Sequence, residues 1–240
     1  MRSRIESASR RKKTDNPRLS NRLEGSTVGI IADSHGQVDA IADALEFLNA
    51  KNCDHIFHLG DICDSLRPET SEACIKLLLD AGVTAIKGNN DHILLVNQSE
   101  MESPCMAGWA MDYLRKLPLV RAENPAVFAH SLPFERELGL SCMLGAIKPG
   151  VPEKIFSQFS KHILFRGHSH DPEIIWRAEG KIQSRRLACG ETVDLKSCVP
   201  AIITCGALTR RLCMTWEPAE RRVTCRHITS SNEFGENHER

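Results

Sequence analysis

The sequence predicts an α/β fold on three observations. Apolar runs of strand length recur along the chain, segments with helical apolar spacing lie between them, and hard metal-ligand residues stand where the runs end. Residues 28–32 form the first run, and 38–48 then carry apolar side chains at helical spacing. Residues 55–59 read as a strand, 72–79 as a helix and 83–86 as a strand. A helix over 109–116 ends before Pro118, whose ring and missing N–H would break it. Residues 126–129 and 163–165 are again strand-like. This alternation predicts layers with a sheet that begins largely parallel. The last third differs in pattern. Residues 173–177, 181–186, 201–204, 212–216 and 222–228 are short β-like runs with few helical signals between them, which predicts a second, mixed or antiparallel sheet. No internal repeat is present.

The chain has 240 residues, 41% of them hydrophobic, enough for one large domain with its own core. Lys and Arg number 31 and so do Asp and Glu, so whole-body electrostatic capture of nucleic acid or an anionic membrane is excluded as the default. No apolar run approaches the ~20 residues of a membrane span, and the N-terminus lacks the apolar stretch of a secretory signal. A soluble, cytoplasmic protein is expected. Ten cysteines are scattered without a CxxC pair, which argues for free, mostly buried thiols rather than a zinc knot or disulfide framework. Residues 1–25 hold eight basic residues against three acidic ones and almost no apolar periodicity, as in a disordered basic arm. The domain is expected over 26–230, with a frayed polar tail over 231–240.

The informative residues stand directly after the runs. The first run leads into Asp33-Ser34-His35, the second into Gly60-Asp61 and the third into Gly88-Asn89-Asn90-Asp91; the later ones lead into His130 and Gly167-His168-Ser169-His170. In open α/β sheets the C-terminal strand edge is where ligands bind. The glycines allow sharp turns and close backbone approach. In Asp33-x-His35 and His168-x-His170 both side chains leave the same face of an extended backbone. Any one of these residues alone would be an ordinary cap or loop residue; five such blocks in one chain are not. Asp33, His35, Asp61, Asn89, His130, His168 and His170 make seven candidate ligands, all nitrogen or oxygen, which suits manganese, iron, zinc, magnesium or nickel. Seven is too many for one tetrahedral ion and suffices for two if one carboxylate bridges. His55, His58 and His92 fall outside the pattern, and His58 is read as packing or hydrogen-bonding beside the sheet.

These blocks, in order, resemble those of the calcineurin-like metallophosphoesterase superfamily, most closely its small bacterial and archaeal phosphodiesterase branch. There Leu-Pro precedes the histidine strand, as Leu117-Pro118 does here, and a proline follows the histidine, as Pro133 does. The resemblance covers roughly residues 28–228. It implies a four-layer α/β/β/α sandwich and two divalent cations, manganese foremost. One would take Asp33, His35, Asp61 and His170; the other Asp61, Asn89, His130 and His168, with Asp61 as the bridge. It also implies hydrolysis of a phosphodiester or small phosphate ester by a metal-bound hydroxide, with Asp61, Asn89, Asn90, Asp91 and His130 in the catalytic set and Asp91 orienting a ligand or histidine from behind.

Two positions depart from the family pattern. Asn90 stands where protein-phosphatase-like members carry a histidine thought to protonate the leaving group, and Ser131 stands where glycine is common. Asn90, Lys87 and Arg166 are the candidate substrate contacts, the last two because they immediately precede metal blocks. Two other functions use the same features. A scaffold with a vestigial site is disfavoured by retention of all seven candidate ligands, and a nuclease working through the basic arm is disfavoured by the neutral bulk charge.

Overall fold

Along each central strand, alternate side chains enter two different cores, so two sheets must be stacked and each covered on its far side. The computed structural model, which describes Leu23, residues 25–134 and residues 142–229, has this arrangement. Its strands are β1 (Val28–Ile31), β2 (His55–His58), β3 (Thr84–Ala85), β4 (Val120–Glu123), β5 (Ala126–Ala129), β6 (Ile163–Arg166), β7 (Glu173–Ala178), β8 (Lys181–Arg186), β9 (Thr192–Asp194), β10 (Ala201–Thr204), β11 (Leu212–Glu217) and β12 (Arg222–His227). Its helices are α1 (Val38–Ala50), α2 (Ser71–Asp80), α3 (Asn89–Glu100), α4 (Gly108–Lys116) and α5 (Val151–Gln158). Among the described residues the strands form two six-stranded sheets, ordered β3-β2-β1-β11-β12-β9 and β4-β5-β6-β10-β7-β8.

Val28, Ile30 and Phe57 of the first sheet meet Phe128, Ile163, Phe165 and Ile203 of the second in the central core. The intervening Ile31 and Ile56 pack on Ile41, Leu45 and Leu48 of α1 and on Ile75 and Leu78 of α2. On the other outer face Val127, Leu164 and Ile202 pack on Ile155 and Phe156 of α5. The layers therefore run helix, sheet, sheet, helix. A column of rings joins the sheets. Phe57 stacks on Phe128 at 4.1 Å between centroids, Phe128 on Phe165 at 5.6 Å, and Trp216 leans on Phe165 at 5.0 Å. No helix among the described residues is long and apolar enough to cross a membrane.

Both sheets are mixed, and the last third of the chain does not form a sheet of its own. β11 pairs antiparallel with β1 and carries β12 and β9 into the first sheet. β10 pairs parallel with β6 and carries β7 and β8 into the second. Each parallel βα unit leaves a strand edge unpaired, and the late strands close both edges, a choice that strand-like composition does not encode. Helices α3 and α5 and strands β4 and β9 have no counterpart in the sequence reading. In α3 the apolar residues are consecutive: Leu94 and Leu95 are buried while Ile93 and Val96 are exposed, which hides the helical period. Leu23, which the sequence places in the basic arm, is buried in the central core. The rest of the arm, apart from Gly25, and the 231–240 tail lie outside the described residues.

Phe128 has no exposed surface and is shared by both sheets. Phe128→Ala is expected to lower unfolding stability by about 3–5 kcal/mol through lost transfer energy and a cavity, measured by urea titration.

Candidate metal centre

Two parallel strand pairs, one per sheet, build the centre. Between β1 and β2 the register sets Ile31 opposite His58, so Asp33 and Asp61 leave the sheet side by side. The loops remain stitched beyond the strands: Asp33 N–H donates to Gly60 O (3.1 Å) and His35 N–H to Asp61 O (3.0 Å). Between β5 and β6, Ala129 is opposite Arg166, so His130 and His168 leave together, and Gly167 N–H donates to His130 O (3.0 Å). The β3–α3 junction supplies Asn89. Gly60, at φ +88°, makes the turn into Asp61, and a Cβ on Gly88 would collide with the backbone nitrogen of Asp61. Neither position admits a larger residue.

All seven candidate ligands converge. Donor atoms of Asp33, His35 and His170 lie within 4.8 Å of one another, as do those of Asp33, Asp61 and His130. Asp33 is common to both groups, and Asp61 Oδ2 lies 3.8 Å from His35 Nε2 and 3.6 Å from His130 Nε2. His170 Nε2 is 3.2 Å from His35 Nε2 and 3.6 Å from Asp33 Oδ1. Asn89 Oδ1 is 3.0 Å from His130 Nε2 and 3.1 Å from His168 Nδ1. Five of these residues adopt left-handed backbone: Asp33 (φ 55°), His35 (45°), Asp61 (55°), His168 (67°) and His170 (62°). Such conformations cost roughly 1–2 kcal/mol each for L residues and concentrate at functional sites.

The donor set fits divalent cations. His130 Nδ1 donates to Leu59 O (2.7 Å), which leaves the Nε2 lone pair aimed at Asn89 Oδ1. The amide that satisfies its hydrogen bonds points NH2 at His130, at His168 and at Met143 O (3.3 Å) and its oxygen at Asn90 N–H (3.2 Å), and turning it presents the oxygen to both imidazoles as a ligand atom. Burial, reinforced by the neighbouring Asp61 charge, holds Asp33 well above the usual carboxylate range, while the His168 N–H and Arg166 oppose that shift. Burial lowers the pKa of His130 and His170 and pushes that of His168 down to about 4, which favours neutral rings. The site thus gathers two buried carboxyl groups with imidazoles, an oxygen and nitrogen donor set suited to divalent cations.

Supporting residues surround these ligands. Asp91 is fully buried and accepts N–H bonds from Asp61, Cys63 and Gly88, all at 2.9 Å, so it pins both the Asp61 loop and the start of α3. Burial and the Asp61 charge raise its pKa. Asn90 donates N–H and Nδ2–H to the two Asp61 oxygens (2.8 Å each) and accepts from Ser65 Oγ (2.9 Å). His58, which lay outside the motif pattern, joins two ligand loops. Its Nδ1 accepts from Gly60 N–H (3.2 Å), so Nε2–H donates to Ser34 Oγ (3.0 Å). The only sequence signal for this was its place three residues before Asp61.

Two expected substrate contacts are not where the sequence reading put them. Lys87 donates its ammonium to Arg115 O (3.2 Å) at the end of α4, in the helix layer. Arg166 is 1% exposed and bonded to Ser131, Ser169 and Thr204, beneath the cluster rather than in front of it. An exposed cation that does reach a ligand loop is Arg67, which donates to His35 O (3.0 Å) and pairs with Asp64.

A two-sheet α/β sandwich with carboxylates and imidazoles gathered at its strand ends defines a metallophosphoesterase framework. The chain belongs to the calcineurin-like phosphoesterase superfamily, a family of metal-dependent phosphoesterases, whose domain model matches residues 27–196. Among solved structures it is similar to a metallophosphoesterase from Sphaerobacter thermophilus, with 22% identity and a TM-score of 0.69 over 88% of this chain and 91% of that one. It is also similar to a hypothetical protein from Pyrococcus horikoshii, with 13% identity and a TM-score of 0.57 over 87% and 90%. An uncharacterized protein of Methanocaldococcus jannaschii is 24% identical over 163 residues, 61% of this chain and 63% of that protein. The chain thus spans less than two thirds of that relative.

His58 gives a pH prediction. Burial lowers its pKa from 6.5 to about 3, so between those values the unfolded chain takes up a proton that the folded one refuses, and stability falls as pH falls. Against His58→Gln, which does not titrate there, the wild-type advantage in the metal-free protein should shrink by about 1.4 kcal/mol per pH unit below pH ~6. Paired urea titrations at several pH values measure it.

Proposed function

We propose that this protein is a binuclear metal-dependent phosphoesterase acting on phosphodiesters or small phosphate esters. The observation that carries the reading is the shared position of Asp61 Oδ2, 3.8 Å and 3.6 Å from an imidazole nitrogen of each of two donor groups. Asp33, His35, Asp61 and His170 would hold one cation, and Asp61, Asn89, His130 and His168 the other. Bound there, two divalent ions, manganese foremost, would supply Lewis acidity for an in-line displacement at phosphorus.

The chain's own residues set how that chemistry runs. His130 is held as the Nδ1–H tautomer by Leu59 O and can offer Nε2 as a ligand without losing a proton first. Asp91 and Asn90 fix both the backbone and the carboxylate of Asp61, so that group is preorganised. Asn90 cannot protonate a departing oxygen at neutral pH, and Asp91 is walled off from the open edge. On this reading the leaving group departs as an anion.

Wild-type protein should hydrolyse bis-p-nitrophenyl phosphate in a manganese-dependent way. Asp61→Asn should reduce bound metal from two ions toward one or none per chain and bring hydrolysis to the metal-free background. Elemental analysis showing two ions retained with ordinary turnover would refute the bridge.

A general acid contributes about 10²–10⁴-fold where the leaving group needs a proton. Without one, rates should fall steeply from p-nitrophenyl to alkyl esters. Asn90→His should flatten that series, raising alkyl-ester rates most. A wild-type rate insensitive to leaving-group pKa, with chemistry rate-limiting, would count against this mechanism.

A further inference from the structure

Arg166 closes β6 as a cation with 1% exposure, lodged between the loops that carry His130 and His168. Its Nε donates to Ser131 O (3.0 Å) and its Nη2 to Ser131 Oγ (3.0 Å). From the other side, Nη1 donates to Ser169 Oγ (2.7 Å) and to Thr204 Oγ1 (3.3 Å) at the end of β10. Ser131 follows His130 directly, and Ser169 sits between His168 and His170. One rigid fork therefore spans both histidine loops, in a way that a single-nitrogen cation would not.

None of these hydrogen-bond partners is an anion, and the Asp33 and Glu173 charges favour the guanidinium only from beyond them. Burying a guanidinium against neutral acceptors is expensive, and an apolar residue would close the strand at lower cost. The arrangement needs a reason, and the position of its partners supplies one. Ser131 offers both its carbonyl and its hydroxyl to the guanidinium. Its hydroxyl gives the fork a second anchor and passes the tie on to Gly145 O. The serine and the arginine form one unit. The rings that unit holds apart, His130 and His168, meet edge to face at 5.2 Å with Asn89 Oδ1 between their nitrogens.

We propose that Arg166 is a positioning residue for the Asn89–His130–His168 ion, setting the separation of the two histidines through Ser131 and Ser169. The inference rests on the two-ion reading above. Outer groups that orient metal ligands typically matter about 10–100-fold in affinity.

The test is calorimetric titration of the metal-stripped full chain with manganese, alongside its thermal unfolding. Wild type should show two binding events. Arg166→Met should weaken one of them by about 10–100-fold and leave the other within about threefold. Arg166→Lys keeps the charge but cannot span both loops, so it should recover metal-free stability without recovering the weakened ion. Ser131→Ala and Ser169→Ala should each weaken the same ion, and the pair together more; they decide the matter if Arg166→Met does not fold. Unchanged affinities in these variants, equal losses at both ions, or full recovery by lysine would overturn the positioning role. A wild type that binds no manganese would instead remove the two-ion reading beneath it.

Discussion

Two carboxylates buried side by side are the constraint on which the remaining structure depends. Asp33 and Asp61 are 0% and 2% exposed, and each has an imidazole nitrogen at 3.6 Å. In a low-dielectric site two adjacent carboxyl groups are relieved either by protonation, toward which burial and Asp61 push Asp33, or by added positive charge. Two parallel strand pairs hold the site, each ending in loops that keep exchanging backbone hydrogen bonds past the sheet edge. Five of the candidate ligands adopt left-handed backbone. The strain is offset elsewhere, chiefly in the central core, where the aromatic column clamps the two sheets at a fixed separation.

Around this pair, polar residues hold ligands rather than substrates. Asp91 gathers three N–H groups, His58 bridges Ser34 and Gly60, and Asn90 grips both oxygens of Asp61. Each fixes a neighbouring loop, so the ligands are set by these outer contacts as much as by their own chain. The same logic turns Arg166 from an expected phosphate contact into a buried tie. Its charge still acts on Asp33, which it draws toward the ionised form against the pull of burial. Asn90 and Ser131 hold different parts of the centre: one grips the Asp61 carboxylate, and the other accepts from the Arg166 guanidinium.

Local chemistry made much of this legible from the residues alone. Strand-length apolar runs, a proline that stops α4, and hard ligands after glycine all act within a few residues, so the strands carrying the motifs and the seven convergent side chains could be read directly. Properties set by contacts between distant segments could not. Strand-like composition does not say which sheet β9 to β12 join, because both sheets offered an open edge of the same kind. Helix α3 was hidden because its four consecutive apolar residues split between core and solvent. Leu23 looked like part of a polar arm until the gap between sheets received it. Lys87 and Arg166 looked alike as strand-end cations, yet one reaches a helix end and the other fills a crevice between two loops. Sequence determines which atoms can bind; only the tertiary structure decides which way a side chain at a strand end points, since that depends on the register and on the layer packed against it.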